Sequence, residues 1–277
     1  MTQGRPDGDI AAAAEGALAR LRRQAAQATQ ARVFLAGAGT SYSTRDLLEL
    51  RADHASARDA VRAQIDPQHP TLAQIRREFG LVAVRTRAGS HAEYLQRPDL
   101  GRQLDEASAG ILRSEGRLRS RLQVVLGDGL SAGAIAESGV PLVRGLHARA
   151  AGLGWTVGPP VFVRRARVGI MNELGAVLEP DVIVLLIGER PGLQVAASTS
   201  AYLAYRPRPG HTDAQRNLVC NIHDAGVPAA DAVDRIVRLV QRLLDASASG
   251  IAIKESDPSG VLAASAAALG RDEPDAR

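Results

Sequence analysis

The sequence predicts an α/β fold, in which a largely parallel, Rossmann-like sheet is flanked by helices and follows an α-helical N-terminal region. Two observations support this prediction. Short apolar runs typical of buried strands, such as Leu122–Gly129 and Asp181–Gly192, alternate with longer segments of helical periodicity, and Ala229–Ala246 carries its apolar residues on one stripe. Strands that alternate with helices favour a parallel sheet covered on both faces.

The N-terminal region contains most of the other helical segments. Ile10–Thr29, rich in alanine, leucine and arginine, predicts a helical arm. Val33–Ser41 is a short strand-like run that ends in glycines and hydroxyls. Arg45–Gln64 then predicts a helix with Ser43 or Thr44 as its N-cap, and the two prolines that follow are expected to end it.

Between residues 81 and 121 the pattern indicates one strand and one helix. Leu81–Gly89 is a second strand-like run, and Ser90–Gly101 is polar and rich in turn residues. Asp99–Arg121 predicts a helix with Pro98 near its start.

From residue 122 onward strands and helices alternate regularly. The first strand ends in a Gly-Asp-Gly turn, and Leu130–Ala151 predicts a helix that is broken or bent near Gly139 and Pro141. Trp155–Met171 predicts one or two strands interrupted by a diproline, and Ile251–Lys254 could form a last strand.

These elements suggest four parts of the chain. We expect a helical arm at 1–30, a mostly helical N-terminal region at 31–120, an α/β domain at 121–255 and a C-terminal tail at 256–277.

Composition limits the classes of function. Of the 277 residues, 45% are hydrophobic and 23% charged, which fits neither a disordered nor a membrane protein. The chain carries 34 basic and 30 acidic residues for a net charge of +4, and Lys254 is the only lysine. Two features argue against nucleic-acid binding. The net positive charge is small and is carried almost entirely by arginine, and aromatic side chains for base stacking are few (3 Phe, 1 Trp, 4 Tyr).

A single cysteine, Cys220, can form neither an internal disulfide nor a CxxC pair, which indicates a reducing compartment, most simply the cytoplasm. No apolar segment approaches the roughly 20 residues of a membrane span, and no secretory signal is visible.

Two loops that follow predicted strands could bind a ligand, because ligands in open α/β sheets lie beyond the carboxyl ends of strands. In the loop at 127–134, Asp128 could cap or bind and Ser131 could bond at the helix start. In the loop at 188–193, Glu189 and Arg190 follow the most buried strand, so they either form a structural charged pair or face a polar ligand. A ligand-free turn is an equal alternative for the first loop.

A third candidate segment, Arg216–Pro228, enters the long helix. Asn217, Cys220, Asn221 and His223 could bind a neutral ligand rich in hydrogen-bonding groups, or they could serve as helix caps and structural hydrogen-bonding groups.

Several common catalytic motifs are absent. The six histidines show no HxH or HExxH spacing, so a zinc site is not expected. The GAG sequence at 37–39 follows a strand-like run, but Tyr42 stands where GxGxxG needs its third glycine, and neither a Walker A nor a GxSxG sequence occurs. A chain with a good pocket and no acid-base set could lend one wall of a site to a partner.

Several sequence blocks, taken in order, closely resemble the small (light) subunit of ethanolamine ammonia-lyase. They are GDGLSAGAIA, RARVGIMNELG, DVIVLLIGERPGL, STSAYLAYRP and RNLVCNIHDAGVPAADA, with HASARDAV at 54–61 and RPDLGRQLDEAS at 97–108. The likeness runs from about residue 31 to residue 254.

The resemblance implies an adenosylcobalamin-dependent lyase that converts ethanolamine to acetaldehyde and ammonia by a radical mechanism. In this family the large subunit, a TIM barrel, holds nearly all substrate contacts, and cobalamin lies between the subunits. The α/β domain at 121–255 would then face the cobalamin. The chain would supply no catalytic residue and no metal ligand, would bind neither nucleic acid nor membrane, and would be inactive alone.

The resemblance also implies cofactor contacts. Val168 and Glu189 match family positions that contact cobalamin, and the third such position, a cysteine in the family, is Leu218 here. A thiol role at that position is therefore excluded, and Cys220 lies two residues further on. Asn172 stands where the family often has aspartate. The DxHxxG motif of base-off cobalamin proteins is absent, as expected for a cofactor that keeps its own base on cobalt.

Two further alternatives remain at this point. Some members of the family work inside a bacterial microcompartment, and the arm at 10–27 could be a targeting helix or, as we prefer, a subunit-docking element. A nucleotide- or dinucleotide-binding α/β enzyme, using the GAG turn and the GDG loop, is the second functional hypothesis.

Overall fold

One six-stranded mixed sheet covered by helices organises the fold. The computed structural model describes residues 40–116 and 118–255, together with 16–25, 27, 33, 37 and 38. The strands are β1 Gly37–Ala38, β2 Ser41–Tyr42, β3 Val82–Arg85, β4 Leu122–Gly127, β5 Val161–Arg164, β6 Val182–Gly188, β7 Thr199–Tyr205 and β8 Asn217–Ile222. The helices are α1 Thr44–Arg62, α2 Pro70–Phe79, α3 His91–Gln96, α4 Glu106–Glu115, α5 Ala132–Gly152, α6 Ile170–Leu178 and α7 Ala229–Ala246.

The strand order is β3-β5-β4-β6-β7-β8. The first four strands are parallel, whereas β7 runs antiparallel to both β6 and β8. This confirms the predicted α/β fold with a largely parallel sheet. The antiparallel strands β7 and β8 were not predicted, since β7 begins with small hydroxyl residues and β8 was interpreted as a loop leading into α7.

The sheet is buried on both faces because β6 alternates its side chains between two cores. Val182, Val184 and Leu186 pack with residues of α2, α5 and α7 on one face. Ile183, Leu185 and Ile187 pack with residues of α4 and α6 on the other. A strand buried on both faces needs a continuous apolar sequence, which explains why the sequence predicted β6 so clearly.

The two long helices differ in how well they were predicted. Helix α7 has the predicted bounds. Helix α5 was predicted to be broken or bent near Gly139 and Pro141, and the structure shows a continuous helix with no break there. Proline removes one backbone donor, but the packing of α5 against the core offsets that loss, and Gly139 lies close to Leu126 and Thr71.

Helix α1 begins as predicted, because the side chain of Ser43 accepts a hydrogen bond from the backbone N–H of Asp46. Pro70, expected to end that helix, instead begins α2, where a residue without an N–H is tolerated in the first turn. Residues 16–25 of the predicted arm are helical, and the rest of the arm except residue 27 lies outside the described residues.

The predicted single helix Asp99–Arg121 is wrong. A short 3-10 turn at Leu100–Arg102 is followed by extended backbone at Gln103, and α4 begins only at Glu106. The new start is set by Asp105, whose carboxylate accepts a hydrogen bond from the backbone N–H of Ser108. The turn-rich segment before this region contains α3, which was not predicted.

Three further expectations can be compared with the structure. Only β5 forms within Trp155–Met171, whose last two residues belong to α6, and Ile251–Lys254 forms a turn rather than a strand. Strand β3, from the predicted N-terminal region, joins the same sheet as the α/β domain. The predicted tail at 256–277 lies outside the described residues.

No helix among the described residues has the length and apolar character needed to cross a membrane.

Candidate functional site

The loops after β4 and β6 are in backbone contact at the carboxyl edge of the parallel strands. The backbone N–H of Leu130 donates to the carbonyl of Gly188 at 3.1 Å. A Cβ atom on Gly129 would lie 2.4 Å from that carbonyl oxygen, and a Cβ atom on Gly188 would lie 2.0 Å from the carbonyl oxygen of Ser131. Gly129 also has a φ of +58°, so glycine is required here for both space and conformation.

Asp128 and Ser131 have structural roles in this contact. The carboxylate of Asp128, 7% exposed, accepts a hydrogen bond from the backbone N–H of Ala166 in the loop after β5. Burial raises the pKa of Asp128, and the surrounding backbone N–H groups oppose that rise. The hydroxyl of Ser131 donates to the carbonyl of Ala196 and does not cap α5, as had been one possibility.

Glu189 is held in place by two donors from the antiparallel strands. Its Oε1 atom accepts hydrogen bonds from the hydroxyl of Ser200 at 2.5 Å and from the backbone N–H of Asn221 at 3.0 Å. Its Oε2 atom accepts none from the residues that the structure describes. Arg190 is exposed and does not pair with it, so the alternative of a structural Glu-Arg pair does not hold.

A cavity of about 370 Å³ lies where these loops meet, and we call it the Glu189 cavity. It brings together the three residues singled out from the sequence, Val168, Glu189 and Leu218. Val168 and Glu189 are half-buried, and Leu218 is 44% exposed. Other wall residues include Tyr94, Leu130, Arg167, Arg190, Ser200, Tyr202 and Cys220.

Several of these wall residues were not identified from the sequence. Burial raises the pKa of the Tyr202 hydroxyl, with smaller contributions from nearby acidic groups, so this hydroxyl keeps its proton at neutral pH. The hydroxyl of Tyr94 donates to the carbonyl of Ala166, and the guanidinium of Arg167 lies 4.2 Å above the ring of Tyr94. Tyr202 belongs to the STSAYLAYRP block, which could have indicated it.

Of the four side chains proposed in Arg216–Pro228, only that of Cys220 lines the cavity. Asn217 anchors the chain after α7 through hydrogen bonds with the backbone of Gly250 and Ile253. The imidazole of His223 bonds the side chain of Asn221 at 2.8 Å, and it is the backbone of Asn221 that serves Glu189. Asn217 and Asn221 have these structural roles because the segment forms strand β8 rather than a loop.

The GAG sequence gives the nucleotide-binding hypothesis little support. Gly37 and Ala38 of the GAG sequence form a hairpin with β2 outside the six-stranded sheet, so they do not follow a strand of that sheet as a dinucleotide fingerprint would. Within the described residues, no three side chains of His, Cys, Asp or Glu gather where a metal ion could be held.

Comparison with known proteins places the chain in a family. Residues 19–254 match the family model "Ethanolamine ammonia-lyase light chain (EutC)". The "Ethanolamine ammonia-lyase small subunit" of Rhodopseudomonas palustris is 44% identical over 239 residues, covering 86% of this chain and 91% of the relative.

Two other bacteria contain similar proteins of the same name. The protein of Bradyrhizobium diazoefficiens is 44% identical over 82% of this chain and 87% of its own length, and that of Fusobacterium nucleatum is 40% identical over 82% and 75%. The match spans the whole sheet and each wall of the Glu189 cavity. The chain therefore belongs to the ethanolamine ammonia-lyase light chain family.

Proposed function

We propose that this chain is the small subunit of an adenosylcobalamin-dependent ethanolamine ammonia-lyase, which converts ethanolamine to acetaldehyde and ammonia together with a large subunit. The Glu189 cavity would form one wall of the cobalamin site at the interface between the subunits. The observation that carries the proposal is that Val168, Glu189 and Leu218, from three separate segments, line one cavity.

The chemistry of the cavity suits the edge of a corrinoid. Corrin side chains end in amides, which donate hydrogen bonds, and Oε2 of Glu189 has acceptor capacity left. Val168, Leu130 and Leu218 offer apolar contact beside it. A volume of about 370 Å³ admits part of a cobalamin but not all of it, which suits a site whose other wall belongs to a second subunit.

The residues of this chain would bind and orient the cofactor and exclude water. When bound, adenosylcobalamin supplies the radical that starts the deamination. Glu189 is fixed before binding by Ser200 and Asn221, so little side-chain entropy is lost when a ligand arrives. We assign no proton transfer to this chain, and we place the ethanolamine contacts mainly on the large subunit.

The N-terminal helical segment is better explained as a subunit-docking element than as a segment that faces solvent. Leu18 and Leu21 on residues 16–25 are 37% and 48% exposed, and we assign them to contact with the large subunit in the cytoplasmic complex. Targeting to a microcompartment is the alternative for this segment.

Co-expression with a candidate large subunit tests the proposal. We expect the two chains to copurify and to release acetaldehyde and ammonia from ethanolamine only when adenosylcobalamin is added. Turnover by this chain alone, or failure to form a complex with the large subunit, would contradict it. Thermal protection of the isolated chain by NAD or ATP would instead favour the nucleotide-binding hypothesis.

A further inference from the structure

A cavity of about 530 Å³ lies at the end of the sheet opposite to the Glu189 cavity, and we call it the amino-edge cavity. Its wall includes Tyr205, the last residue of β7, which pairs with Val182 at the start of β6. The Glu189 cavity lies at Gly188, the other end of β6, and the two cavities share no wall residue. At about 3.3 Å per residue the ends of this strand are roughly 20 Å apart, so the two cavities are separate.

The wall of the amino-edge cavity combines two arginines with neutral polar groups. Arg206 and Arg208 follow directly after β7, and none of the described residues that line the cavity is an aspartate or a glutamate. The remaining wall residues come from the connection between β7 and β8 and from the turn after α7. They are His211, Gln215, Ser247, Ala248 and Ser249.

Arg206 is fixed by Asp181, which lies outside the wall. The backbone N–H of Arg206 donates to the carbonyl of Asp181 at 2.8 Å, and its Nε and Nη2 atoms donate to Oδ1 of Asp181 at 3.1 and 2.7 Å. The φ of Arg206 is +39°, a conformation that costs free energy in a residue other than glycine. These contacts hold the strained residue in place, and its Nη1 atom donates to no described residue.

Arg208 carries the uncompensated charge of the cavity. Its side chain is exposed and makes neither a hydrogen bond nor an ion pair with any described residue. Its backbone is nevertheless stiff, because Arg208 lies between Pro207 and Pro209. Pro207 is buried, and a Cβ atom on Gly175 would lie 1.9 Å from its carbonyl oxygen, so this segment packs closely on α6. The fold thus places an unpaired guanidinium at a defined position.

Neutral groups with unused hydrogen-bonding capacity lie beside the two arginines. The hydroxyls of Tyr205 and Ser247 make no hydrogen bond with any described residue, and the buried Nδ1 atom of His211 has no partner among those residues. Burial lowers the pKa of His211, and the charges of Arg208 and Arg216 lower it further, so its imidazole is neutral at pH 7. These groups can donate to and accept from the hydroxyls of a ligand.

This combination favours an organic phosphate over other ligands. A wall with guanidinium groups and no carboxylate favours an anion, and the planar fork of arginine matches the oxygens of a phosphate group. A volume of about 530 Å³ lies in the range of sites that bind whole small molecules, so it offers space beyond that of a phosphate group. The neutral donors and acceptors would face the rest of such a molecule.

We propose that the amino-edge cavity binds a phosphate monoester with a hydroxylated body, the class that includes glycerol phosphates and sugar phosphates. The guanidinium groups of Arg206 and Arg208 contact the phosphate oxygens, and Tyr205, Ser247 and His211 contact the hydroxyls. This inference goes beyond the proposed function, since it needs neither the large subunit nor cobalamin. Its failure would leave the proposed function untouched.

Isothermal titration calorimetry of the full-length chain at low ionic strength tests the inference. Glycerol 3-phosphate is the probe, and inorganic phosphate, succinate and glycerol are titrated in separate arms. The test variant is Arg208→Gln, since this unpaired side chain should not be needed for folding. The matched control is Arg113→Gln, an exposed arginine on α4, which packs near β3 at the far edge of the sheet. Thermal unfolding of each variant confirms that the fold is intact.

We expect the wild-type chain to bind glycerol 3-phosphate but not glycerol. Arg208→Gln should weaken glycerol 3-phosphate about tenfold, as the loss of one charged hydrogen bond would, and Arg113→Gln should leave the affinity unchanged. Absence of binding to the wild-type chain, or equal affinity of Arg208→Gln and the wild type, would overturn the inference. Inorganic phosphate that binds as tightly as glycerol 3-phosphate would mean a free-phosphate site, and succinate that does so would mean a general anion site. Either result would also overturn it.

Discussion

The hydroxyl of Ser200 donates a 2.5 Å hydrogen bond to Oε1 of Glu189, joining the loop after β6 to the first residues of the antiparallel strand β7. The backbone N–H of Asn221 reaches the same oxygen from the end of β8. The carboxylate is thereby fixed with its second oxygen left for a ligand. Its charge is thus a candidate determinant of corrinoid affinity.

Glu189→Gln tests this role. A neutral amide has the same size and can still accept from Ser200 and Asn221, but it is a weaker acceptor than a carboxylate. We expect the dissociation constant of hydroxocobalamin from the two-subunit complex to rise about tenfold, with unchanged thermal unfolding. Glu115→Gln, at the exposed end of α4, serves as the control. An unaltered dissociation constant would remove Glu189 from the cofactor site.

Leu218→Ala tests the apolar wall. The side chain lines the Glu189 cavity and is 44% exposed in the isolated chain, so a ligand would bury the exposed part. Losing that contact should weaken hydroxocobalamin about fivefold. Leu153→Ala, a 52% exposed leucine after α5, should have no effect. Leu218→Cys introduces the cysteine that the family resemblance implies at this position, and an unaltered affinity for hydroxocobalamin would mean that the side chain matters little.

Gly188→Ala tests the contact between the two loops. The added methyl group would meet the carbonyl of Ser131, so the free energy of unfolding should fall by about 1–3 kcal/mol. Gly110→Ala in the middle of α4 meets no atom within 4 Å, and it should stabilise the chain by about 0.5–1 kcal/mol. Urea unfolding of both variants measures the difference. Equal changes in the free energy of unfolding for the two variants would mean that the two loops adjust to the added methyl group at little cost.

Burial of the His147 imidazole is expected to make the folded chain less stable in mild acid. Its ring lies 4.5 Å from that of Phe79, its Nε2 atom has no partner among the described residues, and burial lowers its pKa below 6.5. Below pH 6.5 the unfolded chain therefore binds more protons than the folded chain, so the free energy of unfolding falls as the pH drops from 6.5 through the lowered pKa.

His147→Leu should reduce this acid sensitivity, since leucine keeps the apolar contact with Phe79 and carries no proton. Urea unfolding at pH 7.5 and at pH 5.5 measures it, and His54→Gln on the exposed side of α1 should retain the wild-type dependence. If His147→Leu loses as much stability in acid as the wild type, other groups cause the loss.

Strong local patterns were enough to predict the parallel half of the fold. The continuous apolar sequence of β6 and the single stripe of α7 specify their structure without tertiary context. Pro70 shows the opposite case, since a proline ends one helix or begins the next depending on which segment can bury its apolar residues. The small residues of β7 and the largely exposed residues of β8 give weak local signals. Pairing with β6 decides the structure of β7, and pairing with β7 decides that of β8.

The residues of the candidate site were also predicted only in part from the sequence. The family motifs identified Val168, Glu189 and Leu218, and the structure brings these three together. Spacing could not identify Tyr94, because its place in the wall depends on a hydrogen bond to the carbonyl of Ala166, 72 residues further along the chain. Asp128 was predicted either to cap or to bind a ligand, and in the structure its carboxylate accepts a hydrogen bond from the backbone N–H of Ala166.

The Glu189 cavity draws its walls from residues between Tyr94 and Cys220, so no fragment of the chain shorter than this range can contain it. A ligand in this cavity would bind only a chain in which both the parallel and the antiparallel strands of the sheet have formed. Occupancy is therefore linked to global folding: a ligand here resists unfolding of the entire sheet and couples the lifetime of the subunit to the supply of that ligand.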